Sequence, residues 1–207
     1  MNESATTSRA TERRQATAAL VTQLCRRLTA ERGLGGFTIE EVCSEAGISR
    51  RTFFNYFPSK EEAVFGVDES DELRRFTEEF LALGSRGWPA VIDDLVRFIA
   101  DYARSTGHNV AEHVQFMLML EREPRLLARF VGLGREREAQ LLELVALREG
   151  VATSDARARA SVDLFTTIMR STGDRLSDPR VAADFGGALQ ESLTSLREVL
   201  APGKAPA

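Results

Sequence analysis

The feature that most constrains this sequence is the 3.6-residue spacing of its apolar residues, which recurs along most of its 207 residues. No stretch combines period-two alternation with the β-branched enrichment that is typical of strands. The sequence therefore predicts an all-α protein of about nine helices. We expect a compact N-terminal head of three short helices followed by a C-terminal helical bundle.

Composition excludes several classes of protein. Hydrophobic residues make up 43% of the chain and charged residues 28%, which is ordinary for a folded soluble protein. No apolar run approaches the roughly 18–20 residues that cross a bilayer, and the N-terminus has no apolar signal segment, so we expect a cytoplasmic protein without a membrane partner. Two cysteines and two histidines offer little material for a metal site, and we expect no metal and no cofactor.

The charge is distributed unevenly along the chain. The net charge is −4, but residues 9–60 hold nine basic against five acidic residues, whereas residues 61–207 hold 18 against 25. A basic head on an acidic body is typical of a protein whose one end faces a polyanion.

The most informative segment is TIEEVCSEAGISRRTFFNYFPSKEE, residues 38–62. Thr38 to Glu41 fits a capping box, and Gly47 can take the positive φ of a tight turn before a helix capped by Ser49. This pattern predicts a helix-turn-helix unit, in which Ser49 presents free amides to a phosphate. Residues 50–52, in the first turn, would face base edges in the major groove. A second capping box, residues 59–62, predicts a long helix through Phe80.

The stretches AGIS, RRTFFNYF and PSKEE resemble the TetR family of transcriptional regulators, over residues 12–65. The resemblance implies a DNA-binding head, a C-terminal ligand-binding and dimerisation body, and a homodimer on palindromic double-stranded DNA. FFNYFPSKEEA and REPRLLARF are similar to a subgroup of that family, common in actinobacteria, that includes regulators of acyl-CoA type ligands. The implied organisation is a flexible arm (1–11), a DNA-binding domain (12–58), a ligand-binding and dimerisation domain (59–200) and a disordered tail (201–207).

The resemblance also implies roles for individual residues. It places phosphate contacts at Thr38, Ser49, Tyr56 and Lys60, base contacts at Arg50, Arg51 and Thr52, and further DNA contacts at Phe54 and Asn55. Two positions depart from the family pattern, since Cys43 replaces the usual alanine and Phe54 replaces a frequent tyrosine. An apolar contact to a sugar or a thymine methyl must then replace a phenolic contact to phosphate.

Apolar side chains of the body are the candidates for an effector pocket, because helical bundles bury ligands between helices in mostly apolar walls. These candidates are Trp88, Phe98, Tyr102, His113, Phe116, Met117, Met119, Phe130, Phe165 and Met169. Ordinary core packing is the alternative interpretation for each. Few charges interrupt these stripes, which favours a hydrophobic or amphipathic effector, with Arg104, Arg122 and Arg170 as the candidates for pairing with an acidic headgroup.

The last two predicted helices carry apolar stripes that favour a four-helix interface between two protomers. The stripes comprise Val162, Phe165, Ile168 and Met169, then Val181, Phe185, Ala188, Leu189, Ser192, Leu193 and Leu196. The alternative is an intramolecular core built from the same residues.

The resemblance thus implies a ligand-responsive repressor that binds a palindromic operator as a homodimer and is released by a small molecule. The alternative is an effector-independent or architectural DNA binder whose body only dimerises. We do not expect an enzyme, because no nucleophile–base pair, phosphate-binding glycine loop, metal cluster or acid pair occurs at usable spacing. Cys25 and Cys43 lie on apolar helix faces, which favours inert core positions over redox sensing.

Overall fold

The structure, a computed structural model, describes residues 3–66, 71–105, 110–176 and 184–201, with side chains except those of residues 3–12, 71–73, 105 and 110–113. Ten α-helices and no strands occupy the described ranges, which confirms the all-α prediction. The helices are α1 (Glu3–Arg32), α2 (Ile39–Ala46), α3 (Arg50–Tyr56), α4 (Lys60–Phe65), α5 (Asp71–Ala82), α6 (Trp88–Ser105), α7 (Val110–Arg122), α8 (Pro124–Glu149), α9 (Ala156–Leu176) and α10 (Phe185–Leu200).

The chain divides into two compact units. The head unit comprises residues 1–70 and 115–129, and the bundle unit comprises residues 71–114 and 130–207. The head unit buries apolar side chains from each of its helices, because each short helix is amphipathic and needs a partner for its apolar face. The fully or almost fully buried side chains of its core include Val21, Cys25, Leu28, Val42, Phe53, Phe57, Ala63, Val64, Leu120 and Leu126.

The core of the bundle unit centres on α6, α9 and α10, with contributions from α5 and α8. It contains Phe80, Val91, Ile92, Leu95, Val96, Leu142, Val145, Ala158, Val162, Phe165, Ile168, Leu189 and Leu193. Phe76, Phe80 and Phe98 form an aromatic cluster at its edge, with ring centroids 5.1–6.4 Å apart. Such ring pairs add to the free energy of apolar burial.

The first helix differs from the prediction at its start and in its buried face. It begins at Glu3 rather than near residue 12, so most of the segment expected to be a flexible arm is helical. The spacing of Leu20, Leu24 and Leu28 predicts one buried stripe, but Leu20 is 41% exposed. The buried face is instead centred on Val21, Cys25 and Leu28.

The fourth predicted helix is two helices. The chain leaves helical geometry at Gly66, whose φ of 89° and ψ of −178° end α4, and α5 begins at Asp71. The expectation of one helix through Phe80 was wrong, since the amphipathic pattern continues across a glycine whose backbone conformation is closed to other residues.

Helices α8 and α10 both contain glycines. Gly132 and Gly134 predict a break because glycine is unfavourable in a helix interior, but α8 runs through both without interruption. Helix α10 begins after Asp184, whose carboxylate accepts a hydrogen bond from the Gly187 amide at 2.7 Å. Asp178–Pro179 has the pattern of a cap followed by a proline in the first helical turn, and this predicted start of the last helix lies outside the described residues. A Cβ at Gly186 or Gly187 would meet the Asp184 carboxylate at 3.4 Å, so these glycines adjoin the cap and not a neighbouring helix.

The apolar stripes of α9 and α10 pack inside the bundle unit. Val162, Ile168 and Leu189 are at most 1% exposed and belong to its core. Met169, Phe185 and Leu196, from the same stripes, are partly buried and pack against this core. The interface between protomers on these two helices stays a prediction. Val181 lies outside the described residues.

Candidate nucleic-acid interface

Helix α2 begins with the predicted capping box. The Thr38 hydroxyl accepts a hydrogen bond from the Glu41 amide at 3.2 Å, and the Glu41 carboxylate accepts one from the Thr38 amide at 2.7 Å. The Thr38 amide lowers the pKa of Glu41, with a further contribution from its hydroxyl. The Thr38 hydroxyl, predicted to touch a phosphate, thus already caps the N-terminus of α2.

The turn between α2 and α3 has the geometry that the sequence predicts. Gly47 has a φ of 66° and donates its N–H to the carbonyls of Cys43 and Ser44. No atom lies within 4 Å of a Cβ built there, so the turn requires glycine for its backbone conformation and not for space. Ser49 caps α3 by accepting from the Thr52 amide at 3.0 Å, and Phe53 is fully buried beneath the turn. The two hydroxyls of Ser49 and Thr52 are 2.8 Å apart and hydrogen-bonded to each other.

Helix α3 presents one exposed face, which we call the recognition face. It consists of Arg50, Arg51, Phe54 and Asn55, all exposed, and Phe54 is 43% exposed. The residues form two adjacent columns, Arg50–Phe54 and Arg51–Asn55, because positions four apart share one side of a helix. All four were predicted as DNA contacts, and the structure places them together.

Arg50 is held from two sides. Its Nη1 donates to the Glu40 carboxylate, and its guanidinium lies 5.5 Å from the centroid of the Phe54 ring. Phe54 in turn makes an edge contact with the buried Phe53 at 5.5 Å. Glu40 was missed by sequence reasoning, although its place in the first turn of α2, beside the predicted turn, was a usable signal.

Arg51 contrasts with Arg50. Its side chain is exposed, and it makes no ion pair or hydrogen bond with any residue in the described ranges. Its cation is therefore available to an external anion.

Tyr56 and Lys60, predicted to clamp the DNA backbone, are half-buried. The Arg14 guanidinium lies 5.7 Å from the centroid of the Tyr56 ring. The Lys60 ammonium donates to the carbonyl oxygens of Leu34 at 2.5 Å and Phe37 at 2.7 Å. Lys60 therefore braces the loop before α2, and its contact with phosphate stays a prediction.

The second predicted capping box forms only in part. Ser59 accepts from the Glu62 amide at 3.2 Å, but the Glu62 carboxylate binds Arg129, with Nε–Oε1 at 2.5 Å and Nη2–Oε2 at 3.2 Å. Glu123 also accepts from the Leu34 amide at 2.7 Å. These contacts attach residues 115–129 to the N-terminal helices within the head unit.

The predicted pocket residues are divided between the two units. Phe116, Met117 and Met119 belong to the head unit, while Trp88, Phe98, Tyr102, Phe130, Phe165 and Met169 belong to the bundle unit. Trp88, Phe98, Phe165 and Met169 are part of the bundle core or pack against it, and Tyr102 is 41% exposed. The His113 side chain lies outside the described residues. Arg104, Arg122 and Arg170, the headgroup candidates, are exposed.

A small cavity of about 230 Å³ lies in the head unit. It is lined by Thr29, Ala30, Gly33, Gln115, Leu118, Met119, Arg122 and Glu123. Among the ten predicted pocket residues it contains Met119.

Sequence reasoning missed a buried cluster of charges in the bundle unit. Asp94 is 3% exposed and accepts hydrogen bonds from Arg86 at 2.6 Å, Arg97 at 3.2 Å and Arg148 at 2.7 Å. Burial alone would raise the pKa of Asp94, but the hydrogen bonds from Arg86 and Arg148 outweigh it and lower the pKa. Asp94 interrupts the apolar stripe of α6 between Val91 and Leu95, and that interruption was the available signal.

Both cysteines occupy the inert positions that the sequence predicts. Cys25 is fully buried, and its burial raises the pKa of the thiol to about 12. Burial also raises the pKa of Cys43. Since the thiolate is the reactive form, neither group favours redox chemistry.

Within the described ranges, no group of three or more His, Cys, Asp or Glu side chains is arranged to hold a metal ion. None of the helices in the same ranges is both long and apolar enough to span a bilayer.

Comparison with known proteins agrees with the geometry of α2 and α3. Residues 24–65 match the family described as bacterial regulatory proteins, tetR family. The chain is also 32% identical over 142 residues to the HTH-type transcriptional regulator TcmR of Streptomyces glaucescens. That alignment covers 64% of this chain and 61% of the length of the relative. Residues 24–65 are thus similar to the N-terminal segment of the tetR family, and the chain spans less than two thirds of the length of the relative it matches.

Proposed function

We propose that this protein is a cytoplasmic transcriptional repressor that binds a palindromic double-stranded operator as a homodimer and is released by a hydrophobic or amphipathic small molecule. The recognition face of α3 is the observation that carries this proposal. Four exposed side chains, two of them arginines, stand on a short helix fixed by a buried phenylalanine and two capped helix ends. A rigid helix of this kind presents its first residues to base edges in the major groove.

The chemistry of the recognition face supports DNA as the partner. Arginine donates bidentate hydrogen bonds to guanine, asparagine does the same to adenine, and an exposed aromatic ring contacts a thymine methyl or a sugar. Arg51, which has no partner among the described residues, can neutralise a phosphate or reach a base. The relative from Streptomyces glaucescens is named as a transcriptional regulator, which supports the same function here.

The homodimer follows from the palindrome that such regulators read, since two-fold DNA symmetry requires a two-fold protein. The deeply buried residues of the α9 and α10 stripes belong to the core of the protomer, so we place the contact on the partly buried Met169 and Leu196 and on exposed apolar side chains of the bundle unit. Exposed apolar side chains at the ends of α8 and α10 are candidates for this contact between protomers. Leu147 is 68% exposed and Val199 is 83% exposed.

The test of DNA binding is the selection of sites from random double-stranded DNA, followed by affinity measurement with Arg51→Ala. We expect a palindrome to be enriched, and we expect Arg51→Ala to weaken binding about 10- to 100-fold. Arg159→Ala is the matched control, because Arg159 is an exposed arginine of α9 far along the chain from the recognition face. Equal affinity of the two variants would contradict the proposed role of α3.

An effector-independent regulator is the second candidate, and one observation favours it. Most of the predicted pocket residues of the bundle unit are core residues or pack against the core. Native mass spectrometry of the purified protein, alone and with selected DNA, separates the two candidates. A dimer with an added mass that is lost on DNA binding supports a ligand-released repressor. A dimer without added mass, whose DNA binding is unaffected by cell extract, supports the effector-independent regulator.

A further inference from the structure

We propose that Glu40 is a specificity-determining residue, which positions Arg50 to read a guanine in the operator. This inference rests on the proposed DNA-binding function. It concerns a carboxylate of α2 that lies beside the recognition face and acts through the arginine it holds.

The geometry fixes Arg50 at two points. Glu40 binds Nη1 of the guanidinium, and the Phe54 ring supports the guanidinium plane at 5.5 Å. Phe54 is itself held against the buried Phe53. An arginine restrained in this way loses less side-chain freedom when it binds than a free one does.

The restraint leaves a usable pair of donors. Neither Nη2 nor Nε of Arg50 has a hydrogen-bond partner among the described residues. Two neighbouring guanidinium donors match the O6 and N7 acceptors of guanine, which is the commonest specific contact of proteins with DNA. Glu40 therefore binds Nη1 of Arg50 and leaves Nη2 and Nε for the guanine.

The charge of Glu40 also decides what Arg50 can approach. A carboxylate next to the guanidinium repels phosphate oxygens, so a contact between Arg50 and the DNA backbone is disfavoured. Arg51 has no such neighbour within the described residues and is the arginine suited to phosphate. The two adjacent arginines are thereby assigned different tasks.

Folding does not account for the Glu40–Arg50 pair. The two side chains are 58% and 64% exposed, and exposed ion pairs contribute little to stability. A change at Glu40 therefore reports on recognition rather than on folding.

The experiment compares the wild-type chain with Glu40→Gln, Arg50→Ala and the double variant. Each is bound to the selected palindrome and to the same DNA with adenine replacing guanine at the position whose preference depends on Arg50. The measured quantity is the ratio of the two dissociation constants. We expect Glu40→Gln to reduce this ratio about tenfold, because a loosely held arginine no longer discriminates. In the Arg50→Ala background, Glu40→Gln should change nothing further.

Glu45→Gln is the matched control, since Glu45 lies on the same helix, is half-exposed and pairs with Arg27 at 2.6 Å. Both glutamine variants remove one negative charge, so both should bind non-specific DNA slightly more tightly. Only Glu40→Gln should lower the guanine ratio, and thermal melting of each variant verifies that the fold is intact.

The outcomes separate this inference from the proposed function. A palindrome with an Arg50-dependent guanine and an unchanged ratio in Glu40→Gln overturns the role of Glu40 and leaves DNA binding in place. A ratio that Glu40→Gln lowers even without Arg50 overturns positioning through Arg50. Failure of the wild-type chain to enrich any site overturns the proposed function itself.

Discussion

Two groups of charged residues, one in each unit, lie in opposite environments. In the head unit, Arg50, Arg51 and the Arg27–Glu45 pair lie at the surface, where their side chains meet solvent. In the bundle unit, Asp94 and Arg148 lie inside, with side chains 4% and 0% exposed. The first group is therefore accessible to an external partner, whereas the second makes contacts within the bundle unit.

The difference follows from what burial does to a charge. A buried ion loses its hydration and must regain the lost free energy from partners, so Arg148 binds Asp94, the carbonyl of Gly84 and the face of the Phe80 ring. A surface ion keeps its hydration and gains little from a pair. Arg51, at the surface of the head unit, can thus bind DNA without losing a partner among the described residues, whereas Arg148 cannot leave Asp94 without a large cost in free energy.

The largest expected effect comes from Asp94→Ala, which leaves Arg148 buried without its main partner. We expect the free energy of unfolding to fall by about 3–5 kcal/mol, as for other broken buried ion pairs. Urea denaturation followed by circular dichroism measures this value. Glu45→Gln, which breaks a surface pair, serves as the comparison and should cost much less. If the two variants unfold at the same urea concentration, the contrast between the units is wrong.

Glycine-to-alanine substitutions, one in each unit, should change the free energy of unfolding by a smaller amount. Gly66 ends α4 with a positive φ and has Thr22 atoms 3.4 Å from a Cβ position, so Gly66→Ala should cost about 1–3 kcal/mol. Gly134 lies within α8 with no atom within 4 Å of a Cβ, so Gly134→Ala should stabilise by about 0.5–1 kcal/mol. Thermal midpoints that move in opposite directions would support both assignments. A destabilising Gly134→Ala would show that the glycine in α8 has a role that the helix geometry does not explain.

The smallest effect is a pH dependence of stability. The pKa of Asp94 is lower in the folded chain than in the unfolded chain, so the unfolded chain binds more protons between these two values. Its contribution is complete above the unfolded pKa of about 4 and is lost as pH falls through the folded value. Urea midpoints measured from pH 7 to pH 3 should fall less steeply in Asp94→Asn than in the wild type. Asp155, with a pKa of about 2, and Glu41, with a lowered pKa, also contribute to the loss of stability in acid. Both are present in the wild type and in Asp94→Asn, so their contributions cancel when the two profiles are subtracted. Parallel profiles of the two proteins would show that Asp94 does not contribute to the loss of stability at low pH.

Local signals were sufficient to predict much of the head unit. The Thr38–Glu41 capping box, the positive φ of Gly47 and the Ser49 cap of α3 depend on residues close in sequence. Arg50 and Arg51 were expected on the exposed face from their place in the first turn of α3, while Phe54 and Asn55 were implied by the family resemblance. Such features can be inferred from sequence because the interactions that create them span only a few residues.

Features that depend on distant residues were not predictable in this way. Arg148 meets Asp94 across 54 positions, and Glu62 meets Arg129 across 67. Lys60 has the pattern of a phosphate ligand, yet its ammonium reaches carbonyls before α2. The stripes of α9 and α10 have the composition of an interface and of a core alike, and periodicity does not distinguish the two.

The burial of both native thiols has a practical consequence for spectroscopy. The chain contains two cysteines, and the one at position 25 is fully buried with a pKa near 12, while the other is only 6% exposed. Maleimide dyes and nitroxide labels react with thiolates that solvent can reach. A single cysteine introduced at the exposed Asn55 or Leu147 would then be the one fast-reacting site in the chain. Either unit can thus carry a fluorophore or spin label in an otherwise wild-type sequence.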